Sequence, residues 1–404
     1  MKILHLTSYF QPAMGYQEYF LAREQARIGD NVLVVTSNRL APFVGMWKGG
    51  RRVKEANEII DGIRVYRVPP LLEIGETYLV GRFIESALSS FKPDIIHVHE
   101  PHSLFSTFAL RRSEIPPYVV DIHKFLTANR NVNEAVVNLI DGFSELLMIR
   151  KVICNASAIV AVTEACRSWL SSRLHIPYSK IGLIPLGADT DQFLKDEGRR
   201  MELRKRWGVS DSDAVLIMPG RVSPEKRIHL AIRAVGSLGS PYRNGICVVA
   251  VGGGDQRYLE SCIRLARRLS VRFITTDYVQ NRDMPGYLSA GDVAVWTNSL
   301  PISIWEAMAC ELPVVVPESF PGGPYPFSDY GKRFVQNDNG FTFSPSSIQD
   351  LASKILLLLD MRERQIRGKR SRELVVGSFS WHSIARQWQL LYESILRLHQ
   401  SCAR

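Results

Sequence analysis

Three short stretches carry residue types suited to a phosphorylated ligand. GRVSPEK (220–226) sets Arg221 and Lys226 in a loop that leaves the apolar run Val215–Met218 and opens a helical pattern. An arginine offers a planar fork and a lysine a point charge, and both would stand at the carboxyl end of a parallel strand, where ligands of open α/β sheets bind. The pair suits a diphosphate; the same stretch also reads as a solvated basic loop. NSLPISIWEAMACELPVVV (298–316) follows the run Val293–Trp296 and starts a helix near Ile302, with Glu306 in its first turns. A carboxylate there can accept both hydroxyls of a ribose, although the helix dipole favours an acid at that place without any ligand. At the amino end, Ile3–Thr7 leads into a loop with Gly15 ahead of a helix, an arrangement that offers backbone N–H groups to an anion. A plain helix-opening glycine is the alternative. No Gly-x-Gly-x-x-Gly is present, and the next strand ends in Thr36 and Ser37 where a dinucleotide site needs an acid, so NAD is disfavoured.

Metal chemistry finds weaker support. Asp189–Asp191 and Asp211–Asp213 have the Asp-x-Asp form that holds a divalent cation, but the first lies in the stretch joining two halves of the chain and the second at the amino end of a strand. His97, His99 and His102 alternate on and after a strand with no thiolate or carboxylate cluster beside them, which makes them structural or substrate-lining. Six scattered cysteines read as reduced, mostly buried thiols. No metal and no resident cofactor are expected.

The elements that must position these residues follow from periodicity. With 404 residues, 46% of them hydrophobic and 22% charged, the chain has room for two globular domains and none of the bias of disordered or disulfide-scaffold proteins. Short β-branched runs alternate with helical patterns, the mark of parallel α/β units. The first series has strands at Ile3–Thr7, Asn31–Thr36, Gly62–Val68, Asp94–Val98, Tyr118–Ile122 and Ala158–Val162, with a helix over Gly15–Ile28. The second has Val215–Met218, Cys247–Val251, Val271–Ile274, Val293–Trp296 and Pro313–Val316. The expected division is residues 1–190, residues 191–378, and a C-terminal helix within 379–404 whose stripe is Ile384, Trp388, Leu391, Ile395 and Leu398.

A net charge of +10 admits nucleic acid, an anionic membrane surface or a phosphate-bearing small molecule as partner. Nucleic-acid binding needs a basic stripe interleaved with aromatics, and only Lys48–Lys54 with Trp47 approaches one. That segment suits anionic lipid head groups instead. No apolar run nears the roughly 18 residues that span a bilayer, and the amino terminus reads as a buried strand and not as a signal peptide. The expected location is the cytoplasm, with peripheral contact at the inner membrane face.

The ordered combination of these pieces resembles the GT-B glycosyltransferases of the large retaining family 4 over nearly the whole chain. The matching segments are the Gly15 loop, PDIIHVHEPH (93–102), YVVDIHKF (118–125), ASAIVAVTEACRSWL (156–170), LIPLGADTDQF (183–193), GRVSPEK, ICVVAVGGG (246–254), PGYLSAGDVAVWTNSLPISIWEAMACELPVVV (285–316) and the C-terminal FSWHSIARQWQLLYESI. The resemblance implies two Rossmann-like doubly wound domains facing a cleft, with the last helix crossing back to the first domain. It implies an acceptor-binding first domain, a nucleotide-sugar-binding second domain, and metal-independent, retaining sugar transfer in the synthesis of a glycan, glycolipid or cell-surface polysaccharide. By it Arg221 and Lys226 hold the diphosphate, Glu306 the ribose, Gly15 the approach to phosphate and His123 the donor sugar. Amides near Pro301, Ile302 and Ser303 complete the contacts, and the base packs around Tyr278 and Val279. The resemblance implies a nucleotide sugar such as a UDP- or GDP-sugar as donor and a sugar or lipid-linked acceptor, while the residues themselves leave the sugar, the base and the acceptor open.

One position departs from the pattern: Asn298 stands where the family usually has glutamate, eight residues before Glu306. It motivates a second reading, a catalytically degenerate chain that binds nucleotide sugar as a partner or regulatory subunit. An isomerase of nucleotide sugars on the same fold has no residue in its favour.

Overall fold

The computed structural model describes residues 1–40, 52–53, 57–74, 78–80, 85–101, 110, 115–123, 150–298, 301–319 and 331–402. Trp47, Lys48, Arg51 and Lys54 of the basic segment, His102, and the centre of the Pro-rich stretch after Val316 lie outside these residues. The chain divides into two compact units, Met1–Leu186 with Ile384–Arg404, and Gly187–Ser383.

The first unit is built on Lys2–Thr7 (β1), Asn31–Ser37 (β2), Asn57–Ile60 (β3), Ile63–Val68 (β4), the small antiparallel pair Leu72–Ile74 (β5) and Tyr78–Val80 (β6), Ile95–His99 (β7), Tyr118–Ile122 (β8), Ala158–Ala161 (β9) and Ile181–Leu183 (β10). Its main sheet runs β10-β9-β8-β7-β1-β2-β4-β3. Every pairing is parallel except that of β3 with β4. Helices cover both faces of such a sheet, so its central strands are continuous apolar runs, and every residue of β7 and β8 is buried. The antiparallel β3 escapes the sequence reading, which begins a strand at Gly62. Asp61 and Gly62 both have positive φ, 48° and 81°, as a two-residue hairpin turn requires, and Asp-Gly was the signal that could have revealed it.

In the second unit, Ala214–Pro219 (β11), Ile246–Val251 (β12), Arg272–Thr276 (β13), Val293–Val295 (β14), Val314–Pro317 (β15) and Gly340–Phe343 (β16) form an all-parallel sheet in the order β13-β12-β11-β14-β15-β16. In both sheets the chain first builds outward on one side of the starting strand and then returns to build on the other. The reversal falls between β1 and β7 in the first unit and between β11 and β14 in the second. The carboxyl ends of these strand pairs flank the crevices where ligands of doubly wound sheets bind.

The last helix, Trp381–Cys402, starts in the second unit and belongs to the first from Ile384 onward. Near that crossing, Ala188 donates its N–H to the Phe379 carbonyl at 2.8 Å and accepts from the Trp381 N–H at 3.0 Å. Of the expected stripe, Ile384, Trp388 and Ile395 are buried, but Leu398 is 68% exposed and the buried face carries Tyr392 beside Leu391. Trp388 has no exposed surface, and its ring lies 4.4 Å from that of His97. Among the described residues no helix is long and apolar enough to cross a membrane. Emptying the Trp388 site leaves a cavity under β7, so Trp388→Ala is expected to cost about 3–5 kcal/mol in urea unfolding. A loss under about 1 kcal/mol would show that the helix is not needed to cover this sheet.

Candidate functional site

The loop after β11 is held from two sides. The N–H of Gly220 bonds the Val251 carbonyl at 2.9 Å, that of Val222 bonds the Gly253 carbonyl at 3.1 Å, and Asp255 N–H returns to the Val222 carbonyl at 2.8 Å. Such close backbone approach explains the glycines after β12: a Cβ on Gly254 would meet the Val222 oxygen at 2.0 Å, and one on Gly252 the Gly220 oxygen at 2.6 Å. From the other side, Thr297 Oγ donates to the carbonyls of Lys226 and Arg227 at 2.7 and 3.0 Å, and the Asn298 amide donates to the Glu225 carbonyl at 2.6 Å. These bonds fix a turn in which Arg227 takes a left-handed backbone, φ 51°.

A pocket lies where β11 and β14 diverge, lined among others by Gly220, Arg221, Lys226, Trp296, Thr297 and Asn298. Arg221 is exposed and Lys226 half-buried. Burial, with Arg221 beside it, lowers the Lys226 pKa from its ordinary value despite Glu225. The indole N–H of Trp296 and Oδ1 of Asn298 are buried and have no hydrogen-bond partner among the described residues. Unmatched buried polar atoms in a cationic pocket are what a ligand would satisfy. Asn298 also explains itself: its N–H reaches the Glu225 carbonyl, whereas an ionised glutamate would face that oxygen with no proton to offer.

Glu306 lies in the first turn of the helix Ser303–Ala309 and is only 4% exposed. Burial raises its carboxyl pKa to about 7, with Asp189 adding to the effect and the Asn281 hydrogen bond opposing it. Asn281 Nδ2 donates to Oε1 at 2.9 Å, and Gln192 Nε2 in turn bonds the Asn281 side-chain oxygen at 2.8 Å. Pro301, Ile302 and Ser303 are half-buried at the start of the same helix, and Ser303 Oγ has no partner among the described residues. Tyr278 is 45% exposed and Val279 buried in the loop after β13, and Tyr278 N lies 3.3 Å from where a Cβ of Gly253 would stand. The Asp-x-Asp pairs have structural partners. Asp189 accepts the N–H groups of Asp191 and Gln192, and Asp213 pairs with Arg272 at 2.8 Å.

In the first unit Gly15 has φ 66°, and its N–H closes a tight turn onto the Pro12 carbonyl at 3.1 Å. What the residue supplies there is a left-handed turn. His123 ends β8, its N–H bound by the Glu100 carboxylate and its Nε2 3.1 Å from Asp121 Oδ2. The same Oδ2 lies 3.1 Å from His97 Nε2 and 3.0 Å from His99 Nδ1, and accepts a 2.6 Å bond from Gln17 Nε2. The network continues from His99 Nε2 to His5 Nδ1 at 2.9 Å, and from His5 Nε2 to Gln25 Oε1 at 2.7 Å. Gln25 Nε2 reaches Tyr392 OH at 3.3 Å, and that hydroxyl contacts His97 Nδ1 at 2.5 Å. Two groups here, His5–His97–His99 and His99–Asp121–His123, bring ligand-type atoms within 4.8 Å of one another. His5 and His99 bond each other and reach Gln25 and Asp121, and His97 Nδ1 bonds Tyr392, which makes the core of the group a hydrogen-bonded network; Nε2 of His97 and of His123 meet Asp121 at ion-pair distance without hydrogen-bond geometry.

Comparison with known proteins accounts for both units. Residues 19–192 match the model described as Glycosyltransferase Family 4, and residues 199–373 the model described as Glycosyl transferases group 1. The chain belongs to the GT-B glycosyltransferases of family 4. A GDP-mannose-dependent alpha-(1-6)-phosphatidylinositol monomannoside mannosyltransferase of Mycolicibacterium smegmatis is 24% identical over 94% of this chain and 95% of the relative. A sucrose-phosphate synthase of Thermosynechococcus elongatus superposes with a TM-score of 0.73 at 18% identity, covering 98% of this chain and 99% of that one. Anabaena HepE, in complex with UDP and glucose, gives 0.68 at 19% identity over 98% of this chain and 100% of the other.

Sequence reasoning singled out Arg221, Lys226, Asn298 and Glu306 in the transferase, and the fold places the first three around one pocket. It missed Asp121, His5, Gln17, Gln25, Asn281 and Tyr392. Asp121 was legible only as a charged residue inside an otherwise apolar strand. The glycine contact generates a test: Gly254→Ala must push the loop 220–226 aside, with an expected loss of about 1–3 kcal/mol in urea unfolding. Unchanged stability would show that the loop does not depend on this contact.

Proposed function

We propose that this glycosyltransferase moves a sugar from a nucleoside-diphosphate sugar to an acceptor hydroxyl, with retention at the anomeric carbon and without a metal. The observation that carries the reading is the pocket after β11, where Arg221 and Lys226 stand beside the unpartnered Trp296 N–H and Asn298 Oδ1. The anomeric C–O bond breaks with its electron pair going to a β-phosphate oxygen, and the acceptor oxygen bonds the same face of the sugar while its proton passes to that phosphate. Fixed cations already in place stabilise the charge that develops on the leaving group. Asn298 Oδ1 accepts from a hydroxyl of the sugar and Glu306 from the ribose. Tyr278 and Val279 pack the base, the amides near Pro301, Ile302 and Ser303 meet the phosphates, and His123 meets the donor sugar. The names of the mannosyltransferase and of HepE support GDP- and UDP-linked donors as the first candidates. A sugar or lipid-linked acceptor is the corresponding partner, in glycan, glycolipid or cell-surface polysaccharide synthesis, with the basic segment around Arg51 and Lys54 at the membrane face.

The degenerate-partner reading keeps the nucleotide but not the transfer, and Asn298 is the residue that favours it. A thermal-shift panel of UDP-, GDP- and ADP-sugars with their free diphosphates separates the possibilities. One nucleotide is expected to stabilise the wild type, and its effect is expected to vanish in Lys226→Ala. No shift with any nucleotide would sink the donor assignment. A shift without turnover of the sugar nucleotide in the presence of acceptor extracts would favour the partner.

Glu306 adds a pH dependence. Its folded pKa of about 7 lies above the ordinary 4.5, so the folded chain holds an extra proton between those values and this group's contribution to stability declines as pH rises through them. Ribose hydroxyls favour the ionised carboxylate, and nucleotide binding near pH 6.5 is therefore expected to release a proton. Calorimetry in buffers of different ionisation enthalpy should detect it in wild type and not in Glu306→Gln; equal proton release in the two would remove Glu306 from the ribose site.

A further inference from the structure

Asp121 is a buried charge to which donor binding assigns no task. It has no exposed surface, and a carboxylate taken that far from water needs a countercharge. Among the described residues its ion-pair partners are all histidines: His97, His99 and His123. These are not equivalent. His97 is wholly buried, its Nδ1 is taken by the Tyr392 hydroxyl, and burial drives its pKa down to about 4. His5, the next ring inward, is likewise driven well below the ordinary value by burial, with His99 and His97 adding to it. His123 alone of the three partners reaches solvent, with its side chain 19% exposed, so a proton there costs least in lost hydration.

We propose that Asp121 is a positioning residue for His123: held from the core side by Gln17 and His99, with His97 at ion-pair distance, its Oδ2 stands 3.1 Å from Nε2 of His123 and keeps that ring an imidazolium, so that His123 serves the transfer as a fixed cation and N–H donor and not as a base. This rests on the sugar transfer proposed above. The surroundings of His123 agree. From β7 come His97 and His99, from β1 His5 through His99, and after β7 Glu100, whose carboxylate holds the His123 N–H. From the helix Gln17–Arg27 come Gln17 and the charge of Glu18, and from the helix Glu164–Leu174 the Cys166 thiol, which donates to the His123 carbonyl at 3.2 Å. Among the described residues the C-terminal helix contributes the Tyr392 hydroxyl and the Trp388 ring, both through His97. Burial opposes the charge on His123, yet Asp121, Glu100 and Glu18 outweigh it and raise the pKa to about 9. Asp121 itself is held well below its ordinary value, because His99, His123 and His97 together outweigh its burial.

The competing assignment puts the proton on the inner pair. If His5 donates to Gln25 and His99 donates to Asp121, the 2.9 Å contact between the two rings needs a third proton on two imidazoles. Ring-nitrogen NMR of the full chain labelled with 15N-histidine distinguishes the two, with His123→Gln fixing the assignment. In wild type His123 is expected to stay doubly protonated through pH 8, and in the isosteric Asp121→Asn its titration should fall by two pH units or more, about a hundredfold in proton affinity. In turnover, Asp121→Asn is expected to lower kcat by about 10- to 100-fold with little change in the donor KM. The loss of activity at high pH should also move to lower pH, because activity is present below the His123 pKa and disappears above it. A neutral His123 at pH 7, an imidazolium on His5 or His99 in its place, or a His123 titration that Asp121→Asn leaves unmoved would each overturn the proposal. The wild-type spectrum decides even if the variant does not fold. It also decides without turnover, so a chain that transfers no sugar defeats the functional reading and leaves this one to be judged by the titration.

Discussion

A parallel strand cannot be followed directly by its neighbour: the chain must leave at the carboxyl edge and travel back over a face of the sheet before the next strand begins. Both units are built under that constraint, and their chemistry depends on it. Every strand end in the second sheet delivers its loop to the same edge, and where the winding reverses between β11 and β14 two of those loops are parted instead of packed together. Arg221, Lys226 and Asn298 stand at that parting. In the first unit His123 and Glu100 occupy the same edge at the ends of β8 and β7.

Holding such loops takes more than the strands. The 220–226 loop is pinned by backbone hydrogen bonds to the glycines after β12 and by side-chain donors from the end of β14. A glycosyltransferase that stabilises a leaving diphosphate with side-chain cations needs them fixed before the charge appears, and this loop meets the need with very little side-chain bulk. Asn298 belongs to that scaffold: its amide nitrogen locks the Glu225 carbonyl, and its oxygen is left over among the described residues.

The first unit treats polarity differently. Five of its buried polar groups, His5, His97, His99, Asp121 and Gln25, lie between the sheet and two helices, in the place where a doubly wound fold normally stacks aliphatic side chains. A buried network of this kind is tolerated when nearly every member has a partner. Oδ1 of Asp121, Oε1 of Gln17 and Nε2 of His97 and His123 make no hydrogen bond among the described residues, while Oδ2 of Asp121 gathers that residue's contacts.

The sequence by itself determined most strands of the two main sheets, though not β3, β10 or β16, and their chemistry-bearing loops. Tyr118–Ile122 and Val293–Val295 are apolar runs that can be nothing but buried strands in this alternation, and GRVSPEK declares its cations at the end of one of them. Alternation along β7 put His97 and His99 on one face, because side chains repeat every two residues. What only the tertiary structure decided is everything that depends on register and on which helix covers which face. His5 is level with His97, and His99 with Asp121, because β1 and β8 pair with β7 in that register. Nothing local to those segments sets it. Tyr392 lies 295 residues from the His97 ring it touches. The same holds for Glu306, whose raised pKa comes from burial that neither its helix nor its neighbours in sequence could reveal. Local patterns record which face of an element is apolar; the partner of that face is chosen by the packing of the whole unit.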